Sequence, residues 1–162
     1  MSNIVEVAVD RETLRDEIAA ELAELQAAYD DSDRALARRL GIGRTDLRCL
    51  DLIIRTGPRN AGQVAATLGL TRGSVTTLID RLERAGYASR QPDPTHGKRV
   101  LVAPTPSLIE RIIPLVEPRA RAGQAQLADY TAEELTLIRT FLRDTRERHA
   151  GYARELRAYP DG

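Results

Sequence analysis

The sequence predicts a mainly α-helical fold with one small β-hairpin, arranged as a winged helix-turn-helix plus a helical dimerisation region. Three observations carry this prediction. Apolar residues recur at helical spacing near both ends of the 162-residue chain. A Gly-Leu-Thr turn at Gly69 to Thr71 separates two short segments, each with one apolar face. Two β-compatible runs, Tyr87 to Gln91 and Arg99 to Ala103, flank the turn-forming tip Pro92-Asp-Pro-Thr-His-Gly-Lys98.

From Arg11 to Leu40, the residues Leu14, Ile18, Leu22, Leu25, Tyr29, Leu36 and Leu40 keep one stripe on one face of a long helix. Arg34, Arg38 and Arg39 crowd its C-terminal end, where the helix dipole favours cations. A second helix is expected from Thr45 to about Thr56, with Leu47, Leu50, Ile53 and Ile54 apolar, and Gly57-Pro58 ends it. Val64, Ala65 and Leu68 form one face of a short third helix, and the small Ala65 permits a close, steep helix crossing. Gly69 supplies the positive φ that stops it. Thr71 is placed to N-cap a fourth helix whose buried face is Val75, Leu78, Ile79 and Leu82. Its opposite face carries Arg72, Gly73, Thr76, Thr77 and Asp80, with Ser74 and Arg81 on the flanks. Small hydroxyls and an early Arg suit a helix laid against base edges and phosphates. Gly73 reads either as a point of close backbone approach or as a tolerated glycine.

Downstream, Pro106 suits the first turn of a helix through Ile109, Ile112, Ile113 and Val116, which Pro114 and Pro118 are expected to kink or break. Thr131-Ala-Glu-Glu134 is a capping box opening a long final helix that carries Leu135, Ile138, Phe141, Leu142, Tyr152 and Leu156. The long stripes at the two ends exceed what a small winged core can cover. Residues 1–40 and 106–162 are therefore expected to form a dimerisation region, covering one another and a second subunit, around a DNA-binding domain at 41–105.

Charge sharpens the functional reading. The chain holds 24 basic and 24 acidic residues, so its net charge of zero taken alone argues against nucleic acid. Residues 1–33, 34–99 and 100–162 carry −8, +8 and 0, which concentrates positive charge on the helix-turn-helix and hairpin. The candidate DNA-binding residues are Thr71, Arg72, Ser74, Thr76, Thr77, Arg81 and Arg84 on the helix, and Arg90, His96, Lys98 and Arg99 on the hairpin. A basic hairpin one strand from such a helix has the geometry of a wing at the neighbouring minor groove; the alternative is an ordinary solvated hairpin.

Other chemistry finds little support. His96, His149 and Cys49 are too few and too dispersed for a zinc pattern, and no cofactor is implied. There is no nucleophile–base spacing, phosphate loop or paired carboxylate in an apolar setting, so an enzyme is not expected. One cysteine allows no internal disulfide. With no apolar run of membrane-spanning length and no signal-peptide pattern, a cytoplasmic protein without membrane association is expected. Cys49 reads as a buried core residue or as a redox switch.

The order of elements resembles the MarR family of bacterial transcription regulators over nearly the whole chain. Leu68 to Gly86 is similar to the family's recognition helix, including Asp80-Arg-Leu-Glu83, and Asp93 to Thr105 is similar to its wing. Family members usually show Asp-Pro-x-Asp-Arg-Arg at the wing tip; here His96 and Gly97 replace the second Asp and first Arg, which transfers the tip contact to Lys98 or Arg99. The resemblance implies a homodimeric repressor on a pseudo-palindromic operator of double-stranded DNA, released by a small aromatic or phenolic effector. Tyr29, Arg48, Cys49, Leu52 and Ile112 are the residues that would line such a cleft, or else simply core. The competing reading is a helix-turn-helix scaffold that serves as a protein-interaction module without DNA binding.

Overall fold

A computed structural model describes residues 10–159 of the chain. Six helices and three short strands follow in the order α1 (Arg11–Leu40), α2 (Arg44–Thr56), β1 (Arg59–Asn60), α3 (Ala61–Leu68), α4 (Arg72–Arg84), β2 (Ala88–Pro92), β3 (Val100–Pro104), α5 (Pro106–Leu127) and α6 (Ala132–Ala158). Two compact units divide the chain, one ending at Ile112 and the other beginning at Ile113.

The core lies in the first unit. Leu50, Ile53, Val64, Val75, Leu78, Ile79, Leu82, Val102 and Leu108 are fully buried, so α2, α3, α4, β3 and the start of α5 share one apolar centre. Each fully buried aliphatic side chain contributes about 1.5–3 kcal/mol relative to exposure, which fixes the relative placement of these elements. The strands form an antiparallel sheet in the order β1-β3-β2, with Arg59 opposite Val102 and Arg90 also opposite Val102. The predicted hairpin is thus the larger part of a three-stranded sheet. Its strands lie one residue later than expected and leave a seven-residue tip at 93–99. The added strand β1 is two residues long, too short for any alternating pattern to reveal.

Tyr87 joins the end of α1 to the base of the wing. Its hydroxyl donates a buried 2.9 Å hydrogen bond to the carbonyl of Leu40, and the Arg111 guanidinium stacks over its ring at 5.7 Å. Arg44 of α2 pairs with Asp30 at 2.6 Å, a second link to α1. Beyond this anchored end, the stripe residues Leu14, Ile18, Leu25 and Tyr29 of α1 are exposed.

Of the two outcomes expected at Pro114 and Pro118, a break does not occur, since both lie inside the continuous helix α5. Each proline deprives the carbonyl four residues earlier of its donor. Glu110 and Pro114, which carry those carbonyls, are exposed, so water can take the place of the missing N–H groups. In the second unit, the capping box at Thr131 is present: its hydroxyl accepts from the Glu134 N–H at 3.3 Å while Glu134 accepts from the Thr131 N–H at 2.8 Å. The Thr131 N–H and hydroxyl, each donating to Glu134 Oε2 at 2.8 Å, hold the Glu134 carboxyl below the usual carboxylate range.

Candidate nucleic-acid interface

The interface begins with how α3 and α4 are set. Asn60 accepts from the Gln63 N–H at 2.9 Å, and its own N–H donates to Gln63 Oε1 at 3.0 Å, a reciprocal cap that starts α3 after β1. Gly69 stops α3 at φ 68°, a conformation that L side chains rarely adopt. Thr71 then caps α4, its Oγ1 accepting from the Ser74 N–H at 3.2 Å. Val75, Leu78, Ile79 and Leu82 face inward as predicted, which leaves Arg72, Gly73, Ser74, Thr76, Thr77 and Asp80 exposed.

The exposed N-terminal half of α4 is rich in hydroxyls. Thr76 Oγ1 donates to the Arg72 carbonyl at 3.1 Å and Thr77 Oγ1 to the Gly73 carbonyl at 3.2 Å, so both hydroxyl protons are engaged and both oxygens keep acceptor capacity. Arg72 pairs with no acidic side chain among the described residues. A Cβ added at Gly73 would meet no atom within 4 Å, so nothing in the protein requires a glycine there.

The C-terminal half of α4 is different. Arg81 makes a two-pronged bond to Asp46, at 2.6 Å to Oδ1 and 3.3 Å to Oδ2. Asp46 is buried in the first turn of α2, where its Oδ2 also accepts from the Gly43 N–H at 3.2 Å. Arg84 donates from Nε to the Asp80 carbonyl at 3.3 Å. Arg90, on β2, reaches back to α4: it donates to Asp80 Oδ1 at 2.7 Å and to Glu83 Oε2. The Arg90 backbone N–H donates to the other oxygen of Glu83 at 3.0 Å. Within the predicted DNA-binding set, Arg72 at the start of α4 has no acidic partner among the described residues, whereas the guanidiniums of Arg81 and Arg90 are held by carboxylates of the same chain.

At the wing tip, Asp93 is buried and organises the turn. Its Oδ1 accepts from the Thr95 hydroxyl at 2.7 Å, the Thr95 N–H at 2.8 Å and the His96 N–H at 3.2 Å, which holds the carboxyl below its ordinary range. Thr95 Oγ1 is 2.9 Å from His96 Nδ1. Lys98 and Arg99 are exposed and form no ion pair among the described residues.

The five effector-cleft candidates divide by burial. Cys49, Leu52 and Ile112 are core residues, while Tyr29 and Arg48 are exposed. Burial, reinforced by the Asp46 charge, pushes the Cys49 thiol up to about 11, which keeps it protonated and unreactive near neutral pH. A cavity of about 490 Å³ in the second unit, lined among others by Leu135, Ile138, Leu142 and Arg139, includes none of the five. Among the described residues no cluster of His, Cys, Asp and Glu is arranged to hold a metal, and no helix is long and apolar enough to cross a membrane.

Two features of this region lay outside the sequence reading. Asp46 falls four and seven residues before Leu50 and Ile53, so its spacing places a carboxylate on the buried face and signals a buried partner. Asn60 and Gln63 have capping-box spacing.

Helices α3 and α4 packed across a short turn, followed by the β2–β3 hairpin, define a winged helix-turn-helix protein. A family model described as the MarR family matches residues 35–99, from the end of α1 to the wing tip. An HTH-type transcriptional regulator of Bacillus subtilis, YcgE, is 39% identical over 109 residues, covering 67% of this chain and 71% of the relative. The transcriptional regulator Tm0710 of Thermotoga maritima is 26% identical with a TM-score of 0.59, over 84% of this chain and 98% of that one. A MarR family protein of Bacillus stearothermophilus shares the fold at 20% identity and a TM-score of 0.64, over 87% of this chain and 99% of that one. The chain belongs to the MarR family of transcriptional regulators, a DNA-binding and non-enzymatic family.

Proposed function

We propose that the chain is a homodimeric repressor that reads a pseudo-palindromic operator through the N-terminal half of α4 and steadies itself on phosphate through the wing tip. The carrying observation is the exposed surface of Arg72, Ser74, Thr76 and Thr77 at the capped start of α4, opposite its buried face. Lys98 and Arg99 add exposed cations on the wing. Titrating affinity for a duplex against salt tests this, because phosphate contacts release counterions and affinity must fall steeply as salt rises.

The dimer is supported by the apolar surface the chain leaves open. Among the described residues of α6 none is buried, and Leu137, Phe141, Leu142, Tyr152 and Leu156 are exposed on it. With the open stripe of α1, these residues form helical stripes and not the singly scattered apolar exposure ordinary on a monomer surface. The division of labour proposed is 41–105 for DNA and 1–40 with 106–162 for the second copy. Release by a small aromatic or phenolic effector belongs to the same proposal and is supported by family membership.

A further inference from the structure

We propose that Arg90 is a positioning residue that locks the wing to the recognition helix and does not itself contact DNA. The proposal rests on the DNA-binding reading above. Arg90 lies on β2, yet its guanidinium spans two carboxylates one helical turn apart on α4, Asp80 Oδ1 at 2.7 Å and Glu83 Oε2, while its backbone N–H engages the other oxygen of Glu83 at 3.0 Å. Three bonds thus cross from one residue of the wing to α4.

The planar fork of Arg is what makes this span possible; the compact ammonium of Lys cannot meet two separated carboxylates in that geometry. The charges also matter. Asp80 lies on the exposed face of α4, where an unpaired carboxylate would repel phosphate, and Arg90 neutralises it. On the other flank of α4, Arg81 is held by the buried Asp46 of α2. The C-terminal half of α4 is therefore fixed from both sides by ion pairs, α2 on one and the wing on the other. Base reading falls to the N-terminal half, Arg72 to Thr77, and the angle of the wing is set by Arg90.

The test is a mutant cycle with Arg90→Gln, Asp80→Asn with Glu83→Gln, and all three together, read on a random-sequence duplex and on the duplex just upstream of the chain's own gene. In the otherwise unchanged protein, Arg90→Gln should weaken binding about five- to tenfold, within the range expected for directly coupled groups. In the Asp80→Asn, Glu83→Gln background it should change affinity less than about twofold and leave the salt slope unchanged. Arg90→Lys should resemble Arg90→Gln. A phosphate contact would behave oppositely: Arg90→Lys would keep wild-type affinity, and Arg90→Gln would lose affinity and about one unit of salt slope in both backgrounds, overturning the proposal. Amide exchange in the DNA-free protein gives an independent reading. Arg90→Gln should speed exchange in β2 and β3 without altering α1, and unchanged wing protection would overturn the clamp even if no duplex bound. Failure of the wild type to bind any duplex would instead sink the DNA-binding reading.

Discussion

Arg72 stands at the first position of α4 with no acidic partner among the described residues, directly after the Thr71 cap. If its guanidinium meets a guanine edge in bidentate fashion, Arg72→Ala costs about 1–3 kcal/mol on the specific site and much less on random DNA. Equal losses on both would make it a phosphate anchor. Gly73 is tested beside it. With open space where a Cβ would stand, Gly73→Ala should stabilise the helix by about 0.5–1 kcal/mol. A higher melting temperature with weaker DNA binding is expected, because the DNA backbone then meets the added methyl; unchanged affinity would show that DNA does not approach there. Cys49 belongs at this scale too. Its thiol stays neutral in the folded chain up to about pH 11, whereas an unfolded thiol ionises from about pH 8.5, so the unfolded state sheds its proton first. Stability should therefore fall as pH rises through that window, and Cys49→Ser should flatten the fall while keeping DNA binding. Peroxide that releases the wild type but not Cys49→Ser from DNA would contradict an inert Cys49.

Among elements, the wing makes the sharpest prediction. Lys98 and Arg99 are its exposed cations, so changing both to Ala should weaken binding to all sequences and flatten the salt slope by up to about 2 units. A double variant with wild-type affinity and slope would remove the wing from the interface. The elements also show what a sequence can and cannot disclose. Helix boundaries were legible because their stop and start chemistry is local: Gly69, Thr71 and the Thr131 box each act within four residues. The apolar faces of α2, α3 and α4 were legible from periodicity. The ion pairs of Arg81 and Arg90 were not, since nothing local to either residue marks its carboxylate partners. What holds them comes from 35 residues earlier in the chain for Arg81, and from the 7- and 10-residue offsets across the turn for Arg90. Strand β1 was invisible for the same reason: its identity comes wholly from pairing with the distant β3.

For the whole molecule, the open apolar stripes of α1 and α6 carry the oligomeric prediction. Sedimentation at micromolar concentration should show a dimer, and a folded monomer would contradict that assignment. A second copy would also explain how a chain of zero net charge serves DNA: each copy presents the basic excess of residues 41–99, while the acidic stretch of α1 up to Asp33 stays in the region proposed for pairing. Symmetry then dictates the footprint, because two equivalent recognition helices must meet two equivalent half-sites. The most direct measurement is a footprint of the wild-type protein on the DNA immediately upstream of its own gene, repeated with Arg72→Ala. Two protected half-sites related by inverted symmetry and spaced by about one or two helical turns of about 10 base pairs, lost in the variant, are the predicted result. Absence of protection at low salt, or a single unsymmetrical site indifferent to Arg72, would contradict it.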